Sequence, residues 1–166
     1  MNIAVQLEPA TSTSARVEYR WDGDTDILTA HVKDGPAGMG MSGSVELGGP
    51  DGSWLILDVA KGRIGGVEVA IWPPVQKRSS LSPPTSIEDL QVLIPARASQ
   101  PGVASLEMEM PLIAESDAAR TIIHFRVGPR REFRVVRLAK DLLLELDPHS
   151  RIAGVWMLNV PPSPST

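Results

Sequence analysis

Apolar and polar positions alternate along this chain in short runs closed by glycine, proline or aspartate, a period-two pattern that predicts β-strands. Residues 5–7 open as a strand and stop at Pro9. In residues 16–21, Val17, Tyr19 and Trp21 fall on one face and charged residues on the other, which predicts a half-buried strand. Asp22, Asp24 and Asp26 supply turn chemistry, and residues 27–32 return as the second arm of a hairpin. Residues 34–43 break the pattern, a brief strand is expected at 44–47, and glycines 48, 49 and 52 mark another turn. Residues 54–59 and 63–72 then form a further hairpin, ended by Pro73 and Pro74, which cannot donate to a ladder.

That last hairpin recurs. Residues 54–74 and 142–162, which lie 88 apart, share Leu55/Leu143, Arg63/Arg151, Ile64/Ile152, Gly66/Gly154, Val67/Val155, Pro73/Pro161 and Pro74/Pro162 without a gap. Further upstream the offset is 93, which sets His31 on His124, Gly35 on Gly128 and Pro36 on Pro129. Strands are expected again at 92–94, 106–110, 121–127, 131–138, 142–147 and 151–160. Residues 76–85 are polar, rich in proline and without period, so they read as a linker. Ser86 and Asp89 suggest one capped helical turn at 86–90, and residues 161–166 a frayed tail. The expected fold is all-β, with at most one short helix near 86–91. It consists of two similar antiparallel meanders, 1–75 and 86–162, arising by internal duplication and related by a pseudo-twofold axis in one globular unit.

The first half also resembles a known family. Tyr19, Asp26, Ile27, Leu28, His31, Val32, Asp34, Gly35, Leu57 and Asp58, together with the run from Gly62 to Val69, are similar to the domain of unknown function 2283 family of small bacterial proteins. The second half keeps Asp147 and residues 151–155 of that pattern, with Ser150 in place of Gly62 and Trp156 in place of Glu68. The resemblance implies a hairpin-based β fold and brings no activity with it.

Composition narrows the chemistry. There is no cysteine, so disulfides and thiolate metal sites are excluded. No basic leader precedes an apolar run and no stretch approaches the roughly 20 apolar residues of a membrane helix, so a soluble cytoplasmic protein without membrane association is expected. The net charge is −4, unevenly spread: residues 1–60 hold nine acids against three bases, whereas residues 120–140 hold seven bases against Glu132 alone.

Several constellations invite a function. Gly38, Gly40 and Gly43 match the dinucleotide-binding glycine pattern, but no βαβ unit surrounds them, so a surface loop is expected and no cofactor. Asp22, Asp24 and Asp26 are spaced like calcium ligands, yet the glycine and glutamate of such a loop are missing, which leaves a solvated turn and no metal. Arg126, Arg130, Arg131, Arg134 and Arg137 suit anion recognition, with His31 and His124 as companions. With few aromatics and an acidic total, nucleic acid is disfavoured. The arginines are instead expected to meet the acidic strands of the first half, a second copy, or an acidic protein surface. The favoured function is a non-catalytic binding or interaction module. The alternatives are a small enzyme joining His31 and His124 to the carboxylates of Asp22, Asp24 and Asp26, and a regulatory, antitoxin-like partner of a basic protein.

Overall fold

The computed structural model describes residues 4–9, 15–35, 42–95 and 103–164. Among these, fourteen strands and no helix occur: β1 (Gln6–Pro9), β2 (Arg16–Trp21), β3 (Leu28–Lys33), β4 (Ser42–Gly48), β5 (Trp54–Ala60), β6 (Arg63–Ile71), β7 (Val75–Lys77), β8 (Leu90–Leu93), β9 (Val103–Glu109), β10 (Leu112–Ser116), β11 (Ile123–Val127), β12 (Arg134–Ala139), β13 (Leu142–Leu146) and β14 (Ile152–Met157). The fold is all-β. Among the described residues no helix is long and apolar enough to cross a membrane.

Two six-stranded sheets carry most of the chain, in the orders β2-β3-β6-β5-β4-β9 and β7-β10-β11-β14-β13-β12, and β1 pairs with β8 in a third, small sheet. Five strands of each large sheet follow the same order with every neighbour antiparallel, β2-β3-β6-β5-β4 in one and β10-β11-β14-β13-β12 in the other. The sixth strand of each is parallel to its neighbour and comes from the other half of the chain: β9 lies on β4, and β7 on β10.

Local sequence explains the two central hairpins. Between β5 and β6, Lys61 and Gly62 take φ of 49° and 80°, the paired positive angles a tight primed turn requires. Between β13 and β14, Asp147 organises a longer turn: its Oδ1 accepts the backbone N–H of His149 and of Arg151, both at 2.9 Å, and Ser150 sits at φ 58°. A bulge follows each turn. Asp58 pairs with Gly66 while Val59 pairs with Ile64, and Glu145 pairs with Gly154 while Leu146 pairs with Ile152, so Gly65 and Ala153 are the extra residues.

The two large sheets pack face to face over one core. Leu28, Ala30, Leu57, Val67 and Val69 from the first sheet join Phe125, Leu144, Leu146, Val155 and Met157 from the second. Trp21, Trp72 and Phe125 run through it as a column, with centroids 5.8 and 5.7 Å apart. The small sheet closes one end, where the Val5 N–H donates to Ser150 O and the Ile94 N–H to Gly62 O, each at 2.8 Å. Each half thus covers the hairpin turn of the other.

Three expectations from the sequence are corrected here. Residues 86–90 are not helical: the Glu88 N–H donates to Val135 O at 2.9 Å and Glu88 O accepts from Arg137 at 3.1 Å, so this backbone pairs along β12. A single isolated turn of helix gains too little to compete with an open sheet edge. Gln76 and Lys77, taken as linker, belong to β7, and Leu81 packs on the outer face of the second sheet against the cluster of Val135, Leu143 and Trp156. The tail is anchored as far as Ser163, which is buried, and Pro161 O accepts the Trp21 indole N–H at 2.8 Å.

Candidate functional site

Coverage by residues 78–88 makes the two sheets unlike. Along β5 the residues alternate between core and solvent, whereas every residue of β13 and β14 is buried. On the covered face, beside Leu81, opens a pocket of about 210 Å³ lined by both arms of the β10–β11 hairpin, the segment after β11, and β13 and β14.

Glu145 lies at its base, only 2% exposed. A glutamate is rarely buried so fully without partners, and here both oxygens are used. Trp156 Nε1–H donates to Oε2 at 2.9 Å, and His124 Nε2 stands 2.9 Å from Oε1. The indole is a donor only, so Oε2 accepts there, and the contact of Oε1 with Nε2 holds the imidazole ring in place. The imidazole also stacks on Trp156, with centroids 4.1 Å apart and planes inclined by 21°. Gly154 makes room for this set: a Cβ there would collide with the Glu145 carboxylate and stand 2.6 Å from Phe125 O.

The arginines divide by what they touch. Arg134 grips Glu88 with two bonds, of 2.7 and 2.6 Å, and Arg137 donates to Asp89 at 2.9 Å. Arg131 is spent inside the fold, donating to Asp147 Oδ2 at 3.1 Å and to the carbonyls of Val127, Pro129 and Ile152. Burial raises the Asp147 carboxyl, but the N–H groups of Arg151 and His149, with the Arg131 guanidinium, outweigh that and hold it below the ordinary aspartate value. All three acids lie in the second half, so the expectation that these arginines meet the acidic first half is corrected. The even spacing of arginine along a strand edge matched a local acid pair in the segment that flanks it.

Arg126 and Arg130 remain. Neither side chain forms an ion pair or hydrogen bond among the described residues, and Arg126 Nε is buried without an acceptor. Both line the pocket, together with Arg78, which pairs with Glu115 at 3.1 Å, and Phe133, an aromatic ring left 53% exposed.

His31 does not join this group. It lies exposed on the outer face of the first sheet, whereas His124 lies on the outer face of the second, with the shared core between. Pairing also revises the equivalence drawn from sequence: His31 stands opposite Gly66, and the residue opposite Gly154 is Arg126, while His124 stands opposite Trp156 as Thr29 does opposite Glu68. The sequence match was slipped by two residues, a slip that preserves the strand face and is therefore invisible to alternation. Asp22 closes its own turn by accepting the Asp24 N–H at 3.0 Å, and hydrogen bonds from Asp24 and then Thr25 hold its carboxyl below the usual range. Among the described residues no group of three or more histidines, aspartates and glutamates is placed to hold a metal. Residues 36–41, with most of the glycine-rich pattern, lie outside the described residues.

Sequence reasoning did not single out Glu145 or Arg78. Glu145 had a signal, a single acid inside the apolar run 142–146, and Trp156 stood out only as a difference between the two hairpins. No family model and no curated protein matches the chain.

Proposed function

We propose that this protein is a non-catalytic binding module whose ligand is a small anion held in the pocket of the second sheet. The observation that carries this is Arg126, whose side chain lines the pocket and meets no acid or acceptor among the described residues; an uncompensated guanidinium is costly, and an anionic ligand is the natural partner. Arg130 adds a second free guanidinium at the same pocket. Against the enzyme reading built on His31, His124 and the aspartate turn stands the placement of the two histidines on opposite outer faces. Supporting a structural rather than catalytic part for His124, its Nε2 is committed to Glu145 and its ring to Trp156. The shared strand order supports reading the halves as copies of one unit, and kinship of the first with the domain of unknown function 2283 family belongs to the same proposal.

The test is thermal stabilisation by a panel of small organic carboxylates, sulfonates and phosphate esters. A ligand that binds only the folded state contributes about 2.7 kcal/mol at a hundredfold excess over its dissociation constant. At least one anion of the panel is expected to raise the melting temperature, and Arg126→Gln to remove the rise. No response to any member would sink the reading.

A further inference from the structure

Size, charge and wall chemistry of this pocket narrow the ligand further, if the binding reading above holds. A cavity of about 150 Å³ admits benzene; this one, at about 210 Å³, has room for one six-membered ring and one small acid group. Its apolar wall comes from Leu81, Ile113, Ala153 and Trp156, with Phe133 standing exposed at the rim. The exposed phenyl ring of Phe133 is a surface on which a flat ring stacks favourably, and the edge of the Trp156 indole that reaches the pocket adds apolar contact.

Charge fixes the other end. Four guanidinium groups border the space, those of Arg78, Arg126, Arg130 and Arg131. Against them stand Glu115 and Glu145 in the lining and the Asp147 that Arg131 grips. Leaving His124 aside, one positive charge is uncompensated, and it resides on the Arg126–Arg130 side, since Arg78 and Arg131 are already paired. A single surplus charge matches a monoanion, and the planar fork of a guanidinium matches a carboxylate. A phosphate dianion would leave an excess of negative charge beside Glu115 and Glu145.

We propose that the pocket of the second sheet binds a monocyclic aryl carboxylate, its ring against Trp156 and Phe133 and its carboxylate on Arg126 and Arg130. The carboxylate answers the two guanidinium groups the fold leaves unpaired, and the ring answers the exposed Phe133.

The full chain, labelled with nitrogen-15, is titrated with benzoate while the Arg126 Nε–H and Trp156 indole N–H signals are followed. The first is assigned by its disappearance in Arg126→Gln, the second in Trp156→Phe. Benzoate is expected to shift both saturably. Benzamide, which lacks the charge, acetate, which lacks the ring, and inorganic phosphate are each expected to bind about tenfold more weakly or worse. Arg130→Gln and Phe133→Ala, both at exposed positions, are expected to weaken benzoate by about threefold to tenfold without unfolding the protein. Acetate as tight as benzoate overturns the ring, benzamide as tight overturns the carboxylate, and phosphate tighter than benzoate overturns the monoanion; in all three the pocket still binds and the broader reading stands. If neither signal moves with any of the four, and the anion panel gives no stabilisation, both readings fall together.

Discussion

Gly66 and Gly154 occupy the same place in the two hairpins, each opposite an acid and just past a bulge, yet they bear different loads. A Cβ at Gly66 would meet Ala30 O at 3.1 Å, which a shift of a few tenths of an ångström relieves, and Asp58 Oδ2 at 3.4 Å, an ordinary contact with an exposed side chain. At Gly154 it would run into Phe125 O at 2.6 Å and the buried carboxylate of Glu145. Gly154→Ala is therefore expected to cost about 1–3 kcal/mol in denaturant unfolding, and Gly66→Ala clearly less. Equal losses would mean that Glu145 relaxes freely. Asp147 gives a second test. Its folded pKa lies below the unfolded value of about 3.9, so its contribution to stability is complete above that pH and is lost as pH falls through the folded pKa. Asp147→Asn keeps the turn acceptor but leaves the Arg131 charge unpaired, which is expected to cost about 1–3 kcal/mol at neutral pH. Unfolding curves of the two proteins should converge below about pH 4; a gap that stays constant from pH 7 to pH 3 would show that the ionised form has no part in it.

At the level of elements, the strands with strong alternation or an apolar run were legible, and the hairpins at residues 54–71 and 142–157 emerge where the pattern placed them. What escaped were β10, the run Leu112–Ser116 just after Pro111 that no expectation covered, and elements whose stability comes from elsewhere in the fold. β7 is three residues long and exists because β10 offers it an edge, and Glu88 pairs with β12 instead of starting a helix. Neither has a period to read. The site was partly legible for the same reason: arginine was visible as a residue type, but whether Arg126 or Arg131 remains free depends on where carbonyls and acids arrive in space. The lid of the pocket was hidden in a polar stretch, where Leu81 alone marked the contact. A measurable consequence belongs to β1 and β8. Their ladder looks peripheral, yet the amides of Val5 and Ile94 close hairpin turns of the opposite half. Hydrogen exchange at these two amides is expected to be as slow as in β6 and β14, because opening them requires separating the halves. Exchange within minutes at Val5 would show β1 to be a detachable strand.

The molecule as a whole joins its halves by exchange rather than by apposition. β7 leaves the first half to extend the second sheet, β9 leaves the second half to extend the first, and β1 and β8 each seal the other half's turn. Side chains repeat the arrangement: Tyr19 donates its hydroxyl to Asp141 O at 2.6 Å and accepts the Leu158 N–H, and burial, the largest influence on it, pushes that hydroxyl well above its ordinary pKa. Trp21 reaches Pro161, and the Trp21–Trp72–Phe125 column crosses from one sheet to the other. If either half were removed, the other would lose an edge strand, the cover of its hairpin turn and one wall of its core. The halves therefore have no separate stability to express, and unfolding should be a single transition despite the repeated topology. Far-ultraviolet dichroism, which reports the strands, and near-ultraviolet dichroism, which reports the stacked tryptophans, are expected to give superimposable urea curves with one midpoint and one slope. Residues 1–80 expressed alone should show no cooperative transition, and should regain one on mixing with residues 81–166. Two separated transitions in the intact chain, or a cooperative fold in either fragment alone, would mean that the exchanged strands are ornaments on two independent sheets. In that case the pocket, whose lid is carried by the segment joining the halves, would survive in the second fragment only if residues 75–88 were included with it.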